Sequence, residues 1–169
     1  MNNGYVHVYT GDGKGKTTAA FGLALRATMA GKKVYIGQFV KSMAYSEDKA
    51  KKIISNLDIE QLGLGCQFEK EIGKDDKEAA KKGLDRVYNI FNQYDVVILD
   101  EIFIAQYLDL ITEDEIISLI KNKPQNIELI LTGRGASKNI IDLADLVTEM
   151  VEIKHYYKKG ILSRKGIDC

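Results

Sequence analysis

Only two cysteines occur in the 169 residues, Cys66 and Cys169, and neither belongs to a C-x-x-C pair. With just two histidines as well, His7 and His155, a zinc site of ordinary spacing has no ligand set. Both thiols read as free, in a reducing compartment. Long apolar runs are missing too, and none approaches the roughly 20 residues that span a bilayer. The opening MNNGYVHVYTG lacks the charged-then-apolar order of a secretory leader, so the cytoplasm is the expected location and no membrane partner is foreseen. Neither sign of charge is in surplus, with 24 basic residues against 24 acidic ones. A nucleic-acid binder ordinarily shows a basic excess, so the balance speaks against one, a local patch aside. Proline occurs once, at Pro124, and there is no repeat, low-complexity tract or linker. Residues 1–169 therefore read as one domain, long enough to bury a core without staples.

What is present is alternation. Residues 5–9 (YVHVY), 33–39 (KVYIGQF), 95–99 (DVVIL) and 127–131 (IELIL) are β-branched and nearly continuous, as strands buried on both faces are. Residues 146–153 are a longer, more mixed strand candidate, and 57–62 a weaker one. Between them lie amphipathic stretches. The first, 16–30, stops at Gly31, a good residue just past a helix end. Residues 77–91, 112–121 and 137–144 follow. Thr112 and Glu115 suit a capping box at the start of the third, and Pro124 helps end it. This order predicts an α/β fold, a mostly parallel sheet flanked by helices on both faces through right-handed crossovers. The least regular segments, 41–48 and 63–76, are expected as surface loops near the site.

The string YVHVY-TGDGKGKTT-AAFGLALRA has the order strand, glycine-rich loop, helix that a phosphate-binding P-loop requires. Gly11, Gly13 and Gly15 let the backbone turn several N–H groups toward one anion, and the helix dipole adds to the attraction. Lys16 would place its ammonium between phosphates, and the Thr17 hydroxyl is suited to Mg²⁺. Thr10 stands where the usual pattern has its first glycine. A GK[ST] tripeptide alone is a weak signal; with three alternating glycines and the right flanking elements it is a strong one.

Further along, DVVILDE is an apolar strand ending in Asp100 and Glu101. Sites in parallel sheets lie at such strand ends, so these carboxylates should face the loop, one in the magnesium shell and the other binding metal or polarising water. The alternative is a solvated acidic turn. Arg134, in the Gly-flanked turn of IELILTGRG, either binds phosphate oxygens bidentately or pairs with a surface carboxylate. His7 alternates with Val6 and Val8 and reads as a packed core residue. His155, beside Lys154, Tyr156 and Tyr157, lines a cleft or lies on the surface. No Ser–His–Asp or Cys–His arrangement is suggested.

Taken together in order, TGDGKGKTTAAFGLALRA, QFVKS, YDVVILDEI, LTGRG, ADLVTEM-x-x-x-KH and GILSRKGID resemble the P-loop type of ATP:cob(I)alamin (corrinoid) adenosyltransferases. The resemblance spans nearly the whole chain. It implies a RecA-like fold, a homodimer and a reductase, flavin-dependent, that supplies electrons. It also implies one reaction, in which the cobalt of cob(I)alamin or a related reduced corrinoid attacks the 5′ carbon of ATP. Adenosylated corrinoid forms and triphosphate leaves. ATP is held turned around relative to other P-loop enzymes. Carried over residue by residue, the ATP contacts fall on Gly11, Asp12, Gly13, Lys14, Gly15, Lys16, Thr17 and Thr18. Thr17, Asp100 and Glu101 become the Mg²⁺ residues, and Lys16 and Arg134 stabilise charge on the triphosphate.

Two departures accompany the resemblance. Members often carry an N-terminal extension that helps cover the corrinoid, and here the sequence opens on the strand before the loop. A better-known branch has G-E-G-F-T-W, whose aromatics displace the lower axial ligand of cob(II)alamin and ease its reduction. Here that segment, residues 63–68, reads GLGCQF, with Cys66 on the phenylalanine and Phe68 on the tryptophan. Phe68 is therefore the candidate for the lower cobalt face. The rival readings are a P-loop nucleoside kinase, a non-catalytic corrinoid- and ATP-binding regulatory protein, and a RecA-like DNA motor, which the zero net charge disfavours.

Overall fold

The computed structural model describes residues 3–40, 46–63 and 72–168. Among the described residues six strands form a single sheet: β1 (Val6–Thr10), β2 (Val34–Gln38), β3 (Leu57–Gln61), β4 (Val96–Asp100), β5 (Glu128–Thr132) and β6 (Leu146–Glu149). Their order across the sheet is β3-β2-β4-β5-β1-β6, and every pairing is parallel. The helices are α1 (Lys16–Met29), α2 (Lys74–Ile90), α3 (Ile102–Tyr107), α4 (Glu113–Lys121) and α5 (Lys138–Leu143).

The middle strands explain the layering. Every residue of β2 and of β4 is buried, so both faces of the sheet need cover. Successive side chains alternate between the two faces. Val96 and Ile98 pack with Val34, Ile36 and Ile130 against Ala20, Ala24 and Ala27, one stripe of α1. Val97 and Leu99 join the opposite cluster, with Leu84 and Val87 of α2, Phe103 of α3, and Ile116 and Leu119 of α4. The expected α/β fold with helices on both faces is what forms. Among the described residues no helix is long and apolar enough to cross a membrane.

Three local differences from the sequence reading have physical causes. Helix α2 starts at Lys74, earlier than residue 77, because the Gly73 N–H donates to Asp76 Oδ2 at 2.9 Å and opens the helix there. Helix α3 was not foreseen, since six residues are too few to show a 3.6-residue period. Strand β6 ends at Glu149, well short of residue 153. There the chain leaves the sheet edge and crosses the phosphate loop: Met150 N donates to Thr10 O at 2.8 Å, and Met150 O accepts from Gly13 N at 2.6 Å.

The capping box forms as read. Thr112 N donates to Glu115 Oε2 at 2.7 Å, and Glu115 N donates to Thr112 Oγ1 at 3.2 Å. Thr112→Ala should therefore lower stability by about 1 kcal/mol in equilibrium urea unfolding, the usual worth of such a cap. A change too small to measure would mean that the first turn of α4 is held by packing alone.

Candidate active site

Because β5 lies between β1 and β4, the ends of these strands put the phosphate loop, the turn carrying Arg134, and the two carboxylates side by side. Open parallel sheets bind ligands at this end. The loop is close-packed on its outer side. A Cβ on Gly13 would lie 2.6 Å from the Met150 carbonyl oxygen, so only glycine fits there. Gly15 is in the left-handed half of backbone space, φ 126°, directly ahead of α1. The Gly13 N–H is committed to Met150 O. It does not join the inward-turned donors expected of the loop, because the chain after β6 needs it.

Lys16 is 7% exposed and reaches back beneath the loop, donating to Gly11 O at 2.7 Å and Gly13 O at 2.8 Å. Burial pushes its pKa down, and Glu101, the strongest of the nearby carboxylates acting on it, pulls it back up. Asp100 is fully buried at the end of β4. Its Oδ1 accepts from the Thr17 hydroxyl at 2.9 Å and from the Thr132 hydroxyl at 2.8 Å, and Gln38 Nε2 stands 3.5 Å from Oδ2. Thr132 Oγ1 also accepts the Glu101 N–H at 3.0 Å. Glu101 itself sits at φ 60°, a left-handed conformation that costs a non-glycine residue roughly 1–2 kcal/mol. Gly133 follows Thr132 because a Cβ there would come within 2.8 Å of Phe103 Cβ on α3.

The family model for ATP:corrinoid adenosyltransferases of the BtuR/CobO/CobP type matches residues 2–169. The chain belongs to that family. A corrinoid adenosyltransferase of Escherichia coli K12 is 31% identical over 98% of this chain and 85% of its own length. The corrinoid adenosyltransferase CobA of Salmonella typhimurium LT2 is 33% identical over the same shares. A corrinoid adenosyltransferase of Sinorhizobium is 35% identical, over 98% of this chain and 80% of its own. Among solved structures, EssC (ATPases 2 and 3) of Geobacillus thermodenitrificans superposes with a TM-score of 0.52 at 18% identity. That match covers 98% of this chain but 35% of the EssC chain, and at such identity it speaks for the P-loop fold alone.

Within this adenosyltransferase the remaining sequence candidates divide. Arg134 is exposed, and its Nη1 lies 3.9 Å from Asp12 Oδ1, a loose surface pair. Thr18 is exposed in the first turn of α1. Lys14 turns outward, away from Lys16, and bonds residues of the 156–168 segment. His7 is half-buried in the interior strand β1, its Nε2 2.7 Å from Glu128 Oε1 of β5, and not in the loop cluster. His155 Nδ1 accepts from Tyr157 N at 3.1 Å and caps a short 3-10 turn. Phe68 and Cys66 lie outside the described residues.

Thr132 and Gln38 were assigned no role from sequence. Their signal is a polar residue closing a run of apolar ones, LIL-T and VYIG-Q. Thr132→Val should cut adenosyl transfer more than tenfold, since it removes one donor to Asp100 and the acceptor of the Glu101 N–H. Thr132→Ser, which keeps the hydroxyl, should restore it. Equal activity of all three proteins at saturating ATP would show that the hydroxyl holds nothing of consequence.

Proposed function

We propose that this family member transfers the 5′-deoxyadenosyl group of ATP to the cobalt of cob(I)alamin or a related reduced corrinoid and releases triphosphate, with the loop from Gly11 to Thr18 gripping the triphosphate. The observation that carries the site assignment is the convergence of the Lys16 ammonium, the Thr17 hydroxyl and the Asp100 and Glu101 carboxylates at neighbouring strand ends. The cobalt–carbon bond forms as the C5′–oxygen bond breaks, and the electron pair leaves on the triphosphate. Co(I) has no proton to lose, so the reaction requires no general base. The protein's task is to orient the ribose and to stabilise charge on the departing oxygens.

Lys16 suits that task. Two of its three N–H donors are spent on loop carbonyls, and its buried charge gains from any anion that enters the loop. Arg134, held only loosely by Asp12, is available to exchange that carboxylate for phosphate oxygens. Thr17, Asp100 and Glu101 supply hard oxygen donors, the kind Mg²⁺ takes. Among the described residues no group of three or more His, Cys, Asp or Glu makes a metal cage. The ion would be shared between protein and nucleotide phosphates. Thr17 and Glu101 would hold it, with Asp100 fixing Thr17 through the hydroxyl hydrogen bond. Bound Mg²⁺ supplies charge neutralisation on the triphosphate.

The reading extends to a single-domain, cytoplasmic enzyme that works as a homodimer beside a flavin-dependent reductase. In it Phe68, on sequence grounds, occupies the lower face of the corrinoid.

An anaerobic assay with ATP and chemically reduced cobalamin tests the reaction. Wild type should form the cobalt–carbon bond and release triphosphate one for one. Folded Lys16→Ala should be slower by 100-fold or more, the order of loss when one buried charge-stabilising donor is removed. Stoichiometric ADP without adenosylated corrinoid would instead make the chain a kinase or ATPase.

A further inference from the structure

The phosphate loop carries two lysines, and only one of them faces inward. Lys14 Nζ donates to the Asp168 carboxylate, to Ile167 O at 2.6 Å and to the Tyr156 hydroxyl at 3.1 Å. An ammonium has three donors, and all three go to the 156–168 segment. Asp168 is in turn the centre of a network. Its Oδ1 accepts from Lys14 and from the Tyr156 hydroxyl, and its Oδ2 accepts from Arg164 N at 3.1 Å and Arg164 Nε at 3.0 Å. The Arg164 guanidinium lies 4.6 Å from the centre of the Tyr156 ring, a cation–π distance. A lone surface ion pair contributes little, but Asp168 is only 12% exposed and is held by four donors from three residues. Hydrogen bonds from Lys14, Tyr156 and Arg164 hold the Asp168 carboxyl well below the usual carboxylate range.

We propose that Asp168, with Tyr156 and Arg164, is a clasp that positions the phosphate loop for ATP by holding Lys14 on its outer side. The proposal rests on the reading that the loop from Gly11 to Thr18 binds the triphosphate. Lys14 sits between Gly13 and Gly15, two residues with no side chain to restrict them, so the loop tip has great backbone freedom unless something outside it takes hold. Two attachments do so: Gly13 N to Met150 O, and Lys14 to Asp168. The second also neutralises the Lys14 charge, which leaves Lys16 as the loop's inward cation. Ordering the tip in advance removes that entropy cost from ATP binding. Freeing even one residue's backbone corresponds to about a tenfold loss in affinity.

The clasp acts on ATP binding and not on the bond-breaking step, and this separates it from a general structural role. Asp168→Asn should weaken ATP binding about tenfold by calorimetry and raise KM for ATP by the same factor. With pre-reduced corrinoid and saturating ATP, kcat should stay within about twofold of wild type, and KM for the corrinoid should not move. Tyr156→Phe, which removes the hydroxyl bonded to both Lys14 and Asp168, should shift ATP binding in the same direction and likewise spare kcat, which guards against a folding defect peculiar to one variant, and Asp168→Glu should recover most of the affinity. Wild type that binds no ATP would defeat the functional reading itself. Wild type that binds ATP while Asp168→Asn and Tyr156→Phe bind it equally well, or more tightly, would defeat the clasp alone. A fall in kcat with KM unchanged would defeat it as well.

Discussion

A carboxylate with no exposure to water, that of Asp100, is the constraint around which this site is arranged. Burying an ionised carboxylate costs several kcal/mol unless hydrogen bonds replace its water. Thr17 and Thr132 supply them at 2.9 and 2.8 Å, with Gln38 beside the second oxygen. Each of these donors is fixed by that need, and each comes from a different element: α1, β5 and β2. The carboxylate thus ties the helix that follows the phosphate loop to three neighbouring strand ends. Thr132 passes the constraint on to Glu101, whose N–H it accepts while that residue holds its left-handed backbone.

The loop is consequently held from two sides. On the inner side are Lys16, which draws the carbonyls of Gly11 and Gly13 together, and the Thr17–Asp100 bond. On the outer side are the Met150 backbone and the Lys14–Asp168 pair. A glycine-rich loop gains its shape from such anchors, because its own residues restrict it so little. The reaction proposed for it suits a rigid cradle. When the nucleophile is a metal ion that needs no deprotonation, placement of the ribose carbon and of the leaving charge is what remains for the protein to provide.

Much of this was legible in the sequence where local pattern decides. Strands β1, β2, β4 and β5 announce themselves as apolar runs, α1 as the helix after the glycines, and α4 by its Thr112–Glu115 box. The loop strings, with DVVILDE and LTGRG, also pointed to the family that the comparison over residues 2–169 shows. What could not be read depends on distant segments. The strand order places Thr132 between loop and carboxylates, and no local pattern states that order. Lys14 looks like a second phosphate ligand until Tyr156, Ile167 and Asp168, 142 to 154 positions away, bind it from outside. Gly13 reads as an anion donor until Met150 takes its N–H.

The claim that Asp100 and the phosphate helix act as one unit is tested most directly by a double-mutant cycle on MgATP binding. Calorimetric titration would compare wild type, Thr17→Ala, Asp100→Ala and the double variant, each shown folded by circular dichroism. Residues joined in one hydrogen-bonded unit lose their contribution once, so the double variant should bind within about twofold of the weaker single variant. If instead the two losses multiply, Thr17 and Asp100 serve ATP independently, and the buried carboxylate is not the hub of the site.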